Sequence, residues 1–118
     1  MKLLLILLIS FHHIMSSSCY IISYQGNQRI LKVEGDYAYS YSSNQRIYKF
    51  DREYLLSYSS NRRLLKFDGQ YVINYGNNKR IAKLDGDYVI DYGNNRRIAK
   101  LECPGGRSAL AAAAYYFL

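Results

Sequence analysis

The sequence has no tryptophan, one proline, two cysteines and two histidines in 118 residues. Both histidines fall within residues 1–18, which have the layout of a secretory signal peptide: Lys2, an apolar run from Leu3 to Ile9, and a small-residue exit that ends at Ser18. The alternative, an N-terminal membrane anchor, requires roughly 20 apolar residues, and this run is far shorter. A chain cleaved after Ser18 contains no histidine, which excludes Ser-His triads, Cys-His pairs and histidine metal sites.

Other catalytic signatures are missing too. The sequence contains no phosphate-binding loop and no dinucleotide fingerprint. Asp85 with Asp87 or Asp91 is the nearest approach to the paired carboxylates of a hydrolase, but isolated acidic residues of this kind are typical of turns. We therefore predict a protein that is not an enzyme and has no cofactor and no metal site. The net charge of +7 predicts weak attraction to anionic partners, and it does not point to nucleic acid.

The two cysteines, Cys19 and Cys103, lie at either end of the predicted mature domain. An even cysteine count in an exported chain favours a disulfide. The alternative makes Cys19 the acylated first residue of a lipoprotein, although such signals usually carry Leu where this chain has Ser16. Either reading places the protein outside the cytoplasm: secreted, periplasmic or at the cell surface.

Between the cysteines the chain repeats itself. "YVINYGNNKRIAKL" begins at Tyr71 and "YVIDYGNNRRIAKL" begins at Tyr88. Five contiguous units of seventeen residues follow one another without insertion, and they start at Tyr20, Tyr37, Tyr54, Tyr71 and Tyr88. Within each unit, positions 1 and 5 are Tyr, position 8 is Asn, position 10 is Arg, position 13 is Lys and position 15 is acidic. Such a fixed short period is the signature of a repeat architecture.

Each repeat is typical of a β-hairpin. Two short runs rich in aromatic and β-branched residues are separated by "GNN" or "SSN", and most repeats close with Asp-Gly or Glu-Gly. Asn at position 8 tolerates the left-handed conformation that a tight turn needs. Arg52 replaces the glycine that closes repeat two, so we expect a looser turn, or one of another type, at that place.

Ten strands in an open sheet would leave two unpaired edges. Residues 19–104 therefore favour an all-β fold of five hairpins in a closed, pseudo-fivefold ring or barrel. Cys19 and Cys103 flank the first and last repeats, which are neighbours in such a ring, so a disulfide would hold it shut. In the chain-entropy treatment a bond across a loop of this size contributes roughly 4–5 kcal/mol. The alternative is an open solenoid, but no repeat resembles a polar cap.

The repeats, with their aromatic or apolar pair, small polar turn, "RRI" and closing Asp-Gly, resemble those of the small bacterial five-fold β-flower proteins. The resemblance covers Tyr20 to Glu102. It implies a closed, pseudo-symmetric all-β unit in an exported protein, and it implies no activity, because that family has no established one. A second likeness, to the YD repeats of large secreted toxins and teneurins, reflects shared hairpin chemistry, because five units cannot build such a shell.

The invariant basic residues are the candidate ligand-binding residues: Arg29, Arg46, Arg63, Arg80 and Arg97 at position 10, and Lys32, Lys49, Lys66, Lys83 and Lys100 at position 13. Positions 10 and 13 differ by three, so we expect them on opposite faces of a strand. One set of five would then converge at a pore or mouth and bind an anion. The favoured alternative is that each arginine pairs with an acidic residue at position 15 and lies over a tyrosine ring.

The tyrosines have two readings as well. They either form an aromatic ladder in the core, which is the favoured reading, or present flat rings to sugars. Residues 105–118 form an apolar tail in which "RSALAAAAYYFL" predicts a short helix. That helix either plugs one open end of the ring or inserts into a membrane surface or a partner groove. The sequence thus predicts a non-catalytic exported structural or interaction module. The alternative is a module that binds glycan or an anionic polymer through its Tyr and Arg/Lys rings. The sequence identifies no partner; the candidates are cell-envelope glycan and, through the tail, a membrane surface, and no nucleic acid is expected.

Overall fold

The structure is a computed structural model that describes residues 18–102 and 107–118, without the side chains of Arg107 and Ser108. It contains ten strands and one helix. The strands are β1 Cys19–Ser23, β2 Arg29–Glu34, β3 Tyr37–Ser40, β4 Arg46–Asp51, β5 Tyr54–Ser57, β6 Arg63–Asp68, β7 Tyr71–Asn74, β8 Arg80–Asp85, β9 Tyr88–Asp91 and β10 Arg97–Leu101, and helix α1 is Arg107–Phe117. The predicted signal peptide, apart from Ser18, and Cys103 lie outside the described residues.

The strands form one closed antiparallel barrel. Each strand pairs with its neighbours in sequence, and β1 pairs with β10, which places Ile21 opposite Leu101 and Ser23 opposite Ala99. No edge strand is left among these ten, so the barrel has no open edge to template pairing with other chains. The predicted all-β fold of five hairpins in a closed ring is confirmed, and the open solenoid is excluded.

The turn inside each hairpin depends on the asparagine at position 8. All five asparagines adopt a left-handed backbone with φ between 53° and 61°. The backbone N–H of each one donates to the carbonyl of position 4, as Asn27 does to Ser23 at 2.8 Å. Asparagine accepts this conformation more readily than most residues, so its invariance is explained by the turn. The sequence-based expectation for this position is confirmed.

The turn that closes repeat two does not differ from the others, so the expectation for Arg52 is wrong. Arg52 adopts φ 59°, close to the 62° of Gly35 at the equivalent place. Asp51 still pairs with Tyr54, and the next carbonyl, that of Glu53, still accepts from the backbone N–H of Phe67 at 2.8 Å. The neighbouring strand pairs therefore impose the glycine-type turn on an arginine.

We expect Arg52→Gly to raise the free energy of unfolding by about 1 kcal/mol. A left-handed residue that is not glycine costs roughly 1–2 kcal/mol, and the greater chain entropy of glycine offsets part of the gain. Urea unfolding followed by circular dichroism measures the change. Arg52→Ala is the matched control, because it removes the charge and keeps the Cβ atom. An equal gain in both variants would show that charge, and not backbone conformation, is responsible.

The interior is lined by positions 2, 12 and 14. At position 2 all five side chains are fully buried: Ile21, Ala38, Leu55, Val72 and Val89. Position 12 supplies Leu31, Tyr48, Leu65, Ala82 and Ala99, and position 14 supplies Val33, Phe50, Phe67, Leu84 and Leu101. The interior is thus mainly aliphatic.

The tyrosines do not fill this interior, so the favoured reading of them as core residues is wrong. Positions 1, 3 and 5 do share one face, as alternation requires, but that face points outward. The tyrosines at position 1 are half-buried, and those at position 5 are 43–47% exposed.

Helix α1 occupies the space inside the barrel. Its six residues from Ala109 to Ala114 are each at most 1% exposed, and a helix that is buried on every side must be surrounded. It contacts β1, β2 and every strand from β5 to β10. The predicted apolar helix is confirmed. The helix does not merely pack against one end of the barrel, because residues 109–114 lie inside it. These residues therefore present no surface to a membrane.

The helix ends at the mouth of the barrel, defined here as the end formed by positions 5–9 of the repeats. Tyr115 lines one groove at the mouth together with Leu64 and Tyr75, and Phe117 lines another together with Ser23 and Ile98. Tyr116 and Leu118 are 48% and 53% exposed. The opposite end carries the closing turns and eight of the nine acidic residues of the chain: Glu34, Asp36, Asp51, Glu53, Asp68, Asp85, Asp87 and Glu102.

Candidate functional site

A β-bulge decides which way the invariant basic residues point. In every repeat position 2 pairs with position 12, whereas position 3 pairs with position 10 (Ile21 with Leu31, Ile22 with Arg29). One extra residue at positions 10–11 therefore reverses the alternation. Position 13 pairs with the outward-facing Tyr at position 1, as Lys32 does with Tyr20.

Arginines and lysines therefore share the outer wall, and the expectation that they lie on opposite faces is wrong. Neither set of five converges inside the barrel, where α1 lies. The hypothesis that one set lines a central pore is therefore wrong, and the other half of that hypothesis, an anion site at the mouth, stays a prediction.

Every position-10 arginine lies over the position-1 tyrosine of its own repeat. The distances from the guanidinium carbon to the ring centroid are 4.1 Å for Arg29 on Tyr20, 3.9 Å for Arg46 on Tyr37, 4.1 Å for Arg63 on Tyr54, 3.9 Å for Arg80 on Tyr71 and 4.0 Å for Arg97 on Tyr88. These are cation–π contacts, each worth roughly 0.5–1 kcal/mol at an exposed site. The predicted stacking of arginine on tyrosine is confirmed in all five repeats.

A second tyrosine completes each cluster. The position-1 ring meets the position-5 ring of the next repeat edge to face at 5.8 Å, and the contact between Tyr88 and Tyr24 closes the circle. We call each set a Tyr–Arg–Tyr unit: positions 1 and 10 of one repeat with position 5 of the next. Edge-to-face pairs contribute about 0.5–1.5 kcal/mol each. Five such units therefore link the repeats around the outer wall.

Hydrogen bonds to tyrosine favour the charged guanidinium. A bond to the Tyr75 hydroxyl is the main cause that raises the pKa of Arg63, and one to Tyr41 does the same for the pKa of Arg29. In repeat two Tyr39 takes the place of an aliphatic residue, and the Nε of Arg46 donates to its hydroxyl at 3.3 Å. Arg29, Arg46 and Arg63 are thus held by aromatic rings and by tyrosine hydroxyls, which favour their charged form.

The predicted pairing of position 10 with an acidic position 15 holds in one repeat and is wrong in the other four. Within the described residues only Arg29 forms such a pair, with Glu102 at 2.9 Å. The aspartates at the equivalent places are one methylene shorter, and Glu34 instead accepts from the Ser18 hydroxyl at 2.9 Å. Asp51 acts on Arg63 only electrostatically, from beyond ion-pair distance. Four of the five guanidinium groups thus have no carboxylate partner among the residues that the structure describes.

The contacts of the position-13 lysines differ from repeat to repeat. The Nζ of Lys32 lies 5.0 Å from the Tyr39 ring centroid and donates to the Asn44 amide oxygen at 3.0 Å. Lys66 lies 3.7 Å from Glu53, an exposed pair that contributes little. Lys49, Lys83 and Lys100 form no ion pair within residues 18–102 and 107–118. The lysines therefore do not form a repeated site of the kind that the arginines form.

The aromatic contacts at the mouth of the barrel were not predicted from the sequence. Tyr48 stands at position 12, where the other repeats carry Leu or Ala, and its ring meets Tyr115 edge to face at 5.6 Å. Burial, and then the neighbouring Tyr115 and Tyr116, raise the pKa of Tyr48 to about 12. A single tyrosine in a column of aliphatic residues was the available signal that something aromatic lies opposite.

No family model, curated protein or solved structure matches this chain. The barrel of repeated hairpins is consistent with a repeat β-fold, and the likeness to β-flower proteins remains a resemblance of sequence motifs. In the described segments no helix is long and apolar enough to cross a membrane. Those segments also contain no group of three or more side chains placed to hold a metal ion. They contain no free cysteine, and the pairing of Cys19 with Cys103 stays a prediction because Cys103 lies outside them.

Proposed function

We propose that this protein is a non-catalytic exported module that binds an anionic polymer, such as an acidic polysaccharide, through the Tyr–Arg–Tyr units of its outer wall. One observation carries the proposal. The same exposed guanidinium, held on an aromatic ring, recurs five times around the barrel, and four of the five have no carboxylate partner among the described residues.

The chemistry of the unit supports this choice. Stacking on position 1 and a hydrogen bond to a tyrosine hydroxyl use only part of a guanidinium, and its remaining N–H groups can donate to a carboxylate, sulfate or phosphate oxygen. The position-5 tyrosines, 43–47% exposed, offer apolar area next to that charge. One unit alone binds weakly, but five units on one rigid body engage a repeating ligand with multivalent gain. A polymer with regularly spaced acid groups fits such a surface better than a small molecule does.

A purely structural role is the second candidate. Each unit joins two adjacent repeats through the contact between positions 1 and 5. The arginines would then serve to hold the wall together, and their loss would lower stability without affecting any ligand. The two candidates predict different results for the same variants.

We expect Arg46→Gln/Arg80→Gln to bind polygalacturonate about thirtyfold more weakly than the unmodified chain, since each of the two lost charge-assisted contacts is worth on the order of 1 kcal/mol. The measurement is affinity by interferometry at two salt concentrations, together with thermal unfolding. Lys49→Gln/Lys83→Gln is the control, with the same loss of charge on the same wall and no stacked ring. We expect it to weaken binding much less.

A folded arginine variant with unchanged affinity would refute this role of the units and leave the structural reading. Equal loss in the lysine control, or equal affinity for duplex DNA, would show unspecific charge attraction. Neutral dextran serves as the blank.

A further inference from the structure

The five repeats are not equivalent at the mouth, because position 9 varies. It is Gln28, Gln45, Arg62, Lys79 and Arg96 in successive repeats. Only repeats three and five therefore place two arginines in succession, Arg62 with Arg63 and Arg96 with Arg97. These pairs lie at two of the five boundaries between repeats, and at both boundaries the surface forms a groove.

The first groove, between repeats three and four, has a volume of about 620 Å³ and is lined by Arg62, Arg63, Asn74, Tyr75 and Tyr115, among others. Arg63 is fixed there, stacked on Tyr54 at 4.1 Å. Arg62 has no such contact in the described residues and is exposed. The groove thus combines one guanidinium stacked on a ring, one exposed guanidinium, an amide and an aromatic ring contributed by the tip of α1.

The second groove, between repeats five and one, repeats this arrangement in about 300 Å³. It is lined by Ser23, Gln25, Arg96, Arg97 and Phe117, among others. Arg97 is fixed between Tyr88 at 4.0 Å and Tyr24 at 6.0 Å. The helix tip again supplies the aromatic ring, this time Phe117. Neither groove has an acidic side chain among its lining residues.

We propose that each of these two grooves binds one anionic sugar unit, with its acid group on the paired guanidiniums and its ring against the aromatic residue of the helix tip. This inference rests on the proposed function and assigns its specific sites. Two adjacent guanidiniums present several N–H donors to one acid group, the geometry that suits carboxylate and phosphate. Volumes of this size accept a single small ligand. The acid group is therefore a carboxylate or a phosphate, and the test separates the two.

The other three boundaries lack the paired arginines, because position 9 there is Gln28, Gln45 or Lys79. At the boundary between repeats four and five, Asp91 occupies position 4 and would repel an acid group. At the boundary between repeats one and two, position 9 is Gln28, and Arg29 is paired with Glu102. At the boundary between repeats two and three a groove of about 310 Å³ also forms and is lined by Tyr48, Arg62 and Tyr115, but Arg62 is the one guanidinium among its lining residues, because position 9 of repeat two is Gln45. We therefore expect two equivalents of ligand per chain and not five.

The experiment titrates the full chain with galacturonic acid, glucose 6-phosphate and uncharged galactose, followed by calorimetry and amide chemical shifts. We expect one or both acids to bind at two equivalents and galactose not to bind. Arg62→Gln should remove one of the two equivalents, and Arg62→Gln/Arg96→Gln should remove both. Glutamine is the residue that repeats one and two carry at this place, so the fold accepts it. Lys49→Gln, with the same change of charge on the wall, should keep both equivalents.

Tyr115→Leu separates stacking from charge. We expect it to weaken the sugar acid at the first groove by about tenfold, a change of about 1.4 kcal/mol, and to leave the binding of inorganic phosphate unchanged.

Three results would overturn the assignment: galactose binding as tightly as the acids, no binding of either acid, or an Arg62→Gln variant that keeps two equivalents. The first proposal fails separately. If the acids bind the grooves and polygalacturonate affinity does not depend on Arg46 and Arg80, the proposed role of the outer wall is refuted and the proposed role of the grooves is supported. If polygalacturonate affinity depends on Arg46 and Arg80 and the acids do not bind, the proposed role of the grooves is refuted and that of the outer wall is supported.

Discussion

We expect a chain that ends at Arg107 to lose its cooperative unfolding transition. Removing residues 108–118 takes the helix out of the barrel and opens the apolar interior to water. Burial of Leu110 is worth roughly 2–3 kcal/mol and that of each of the five alanines about 0.8 kcal/mol, values that together approach the stability of a small domain, about 5–15 kcal/mol. Urea unfolding by circular dichroism, with dye binding as a report of exposed apolar surface, measures the loss.

Two further chains control for this result. Deletion of Leu118 alone, 53% exposed at the mouth, should change the free energy of unfolding by less than about 0.5 kcal/mol. Ala113→Asp keeps the full length but buries an unpaired carboxylate at a fully buried position, and we expect a loss of several kcal/mol. If the shortened chain unfolds cooperatively at the original urea midpoint, the helix does not support the barrel.

We expect Leu65→Ala to lower the free energy of unfolding by about 2–5 kcal/mol. A comparison of repeats predicts otherwise, because Ala82 and Ala99 occupy the same position in repeats four and five. Leu65, however, is fully buried in the interior core that α1 completes. The helix is enclosed on all sides and cannot move to fill the space, so a cavity remains and adds to the lost transfer free energy.

The control is an exchange between repeats at an exposed place. Gln45→Arg introduces the residue of repeats three and five at position 9, and we expect a change within about 0.5 kcal/mol. The measurement in both cases is the urea midpoint at constant slope. A Leu65→Ala variant as stable as the parent would show that the interior is loosely packed or that α1 shifts freely within it.

The period of seventeen made the barrel predictable. It marks ten strands and their turns, and equal units without a capping repeat leave closure as the simplest way to satisfy every edge. Asn27 and its equivalents were predictable for the same reason, because a turn that needs a left-handed residue selects few residue types. The turn at Arg52 was not, because the pairing of Asp51 with Tyr54 outweighs the preference of the single residue.

Simple alternation along each strand does not predict which side chains face the interior of the barrel. A bulge of one residue at positions 10–11 reverses the assignment of everything beyond it, and no residue type at Arg29 or Ile30 marks it. The same bulge places both basic columns on the outer wall. The stacking of Arg on Tyr was predictable from the repeat pattern. The ion pairs were not, because they depend on the length of the neighbouring acidic side chain and on its other partners: Glu102 reaches Arg29, whereas Glu34 accepts from Ser18. The grooves depend on where the tip of α1 lies relative to the repeats, and the sequence of the repeats does not predict that position.

The enclosure of α1 by the barrel is the central claim, and nuclear Overhauser effects test it most directly. The methyl groups of Leu110 and the buried alanines should show cross-peaks to Leu31, Leu65, Ala82 and Ala99, side chains that line the interior from different sides. Only a helix surrounded by strands contacts residues of the first, third, fourth and fifth repeats at once. Cross-peaks to residues of one side alone, or none at all, would contradict the fold described here and with it both proposed binding surfaces.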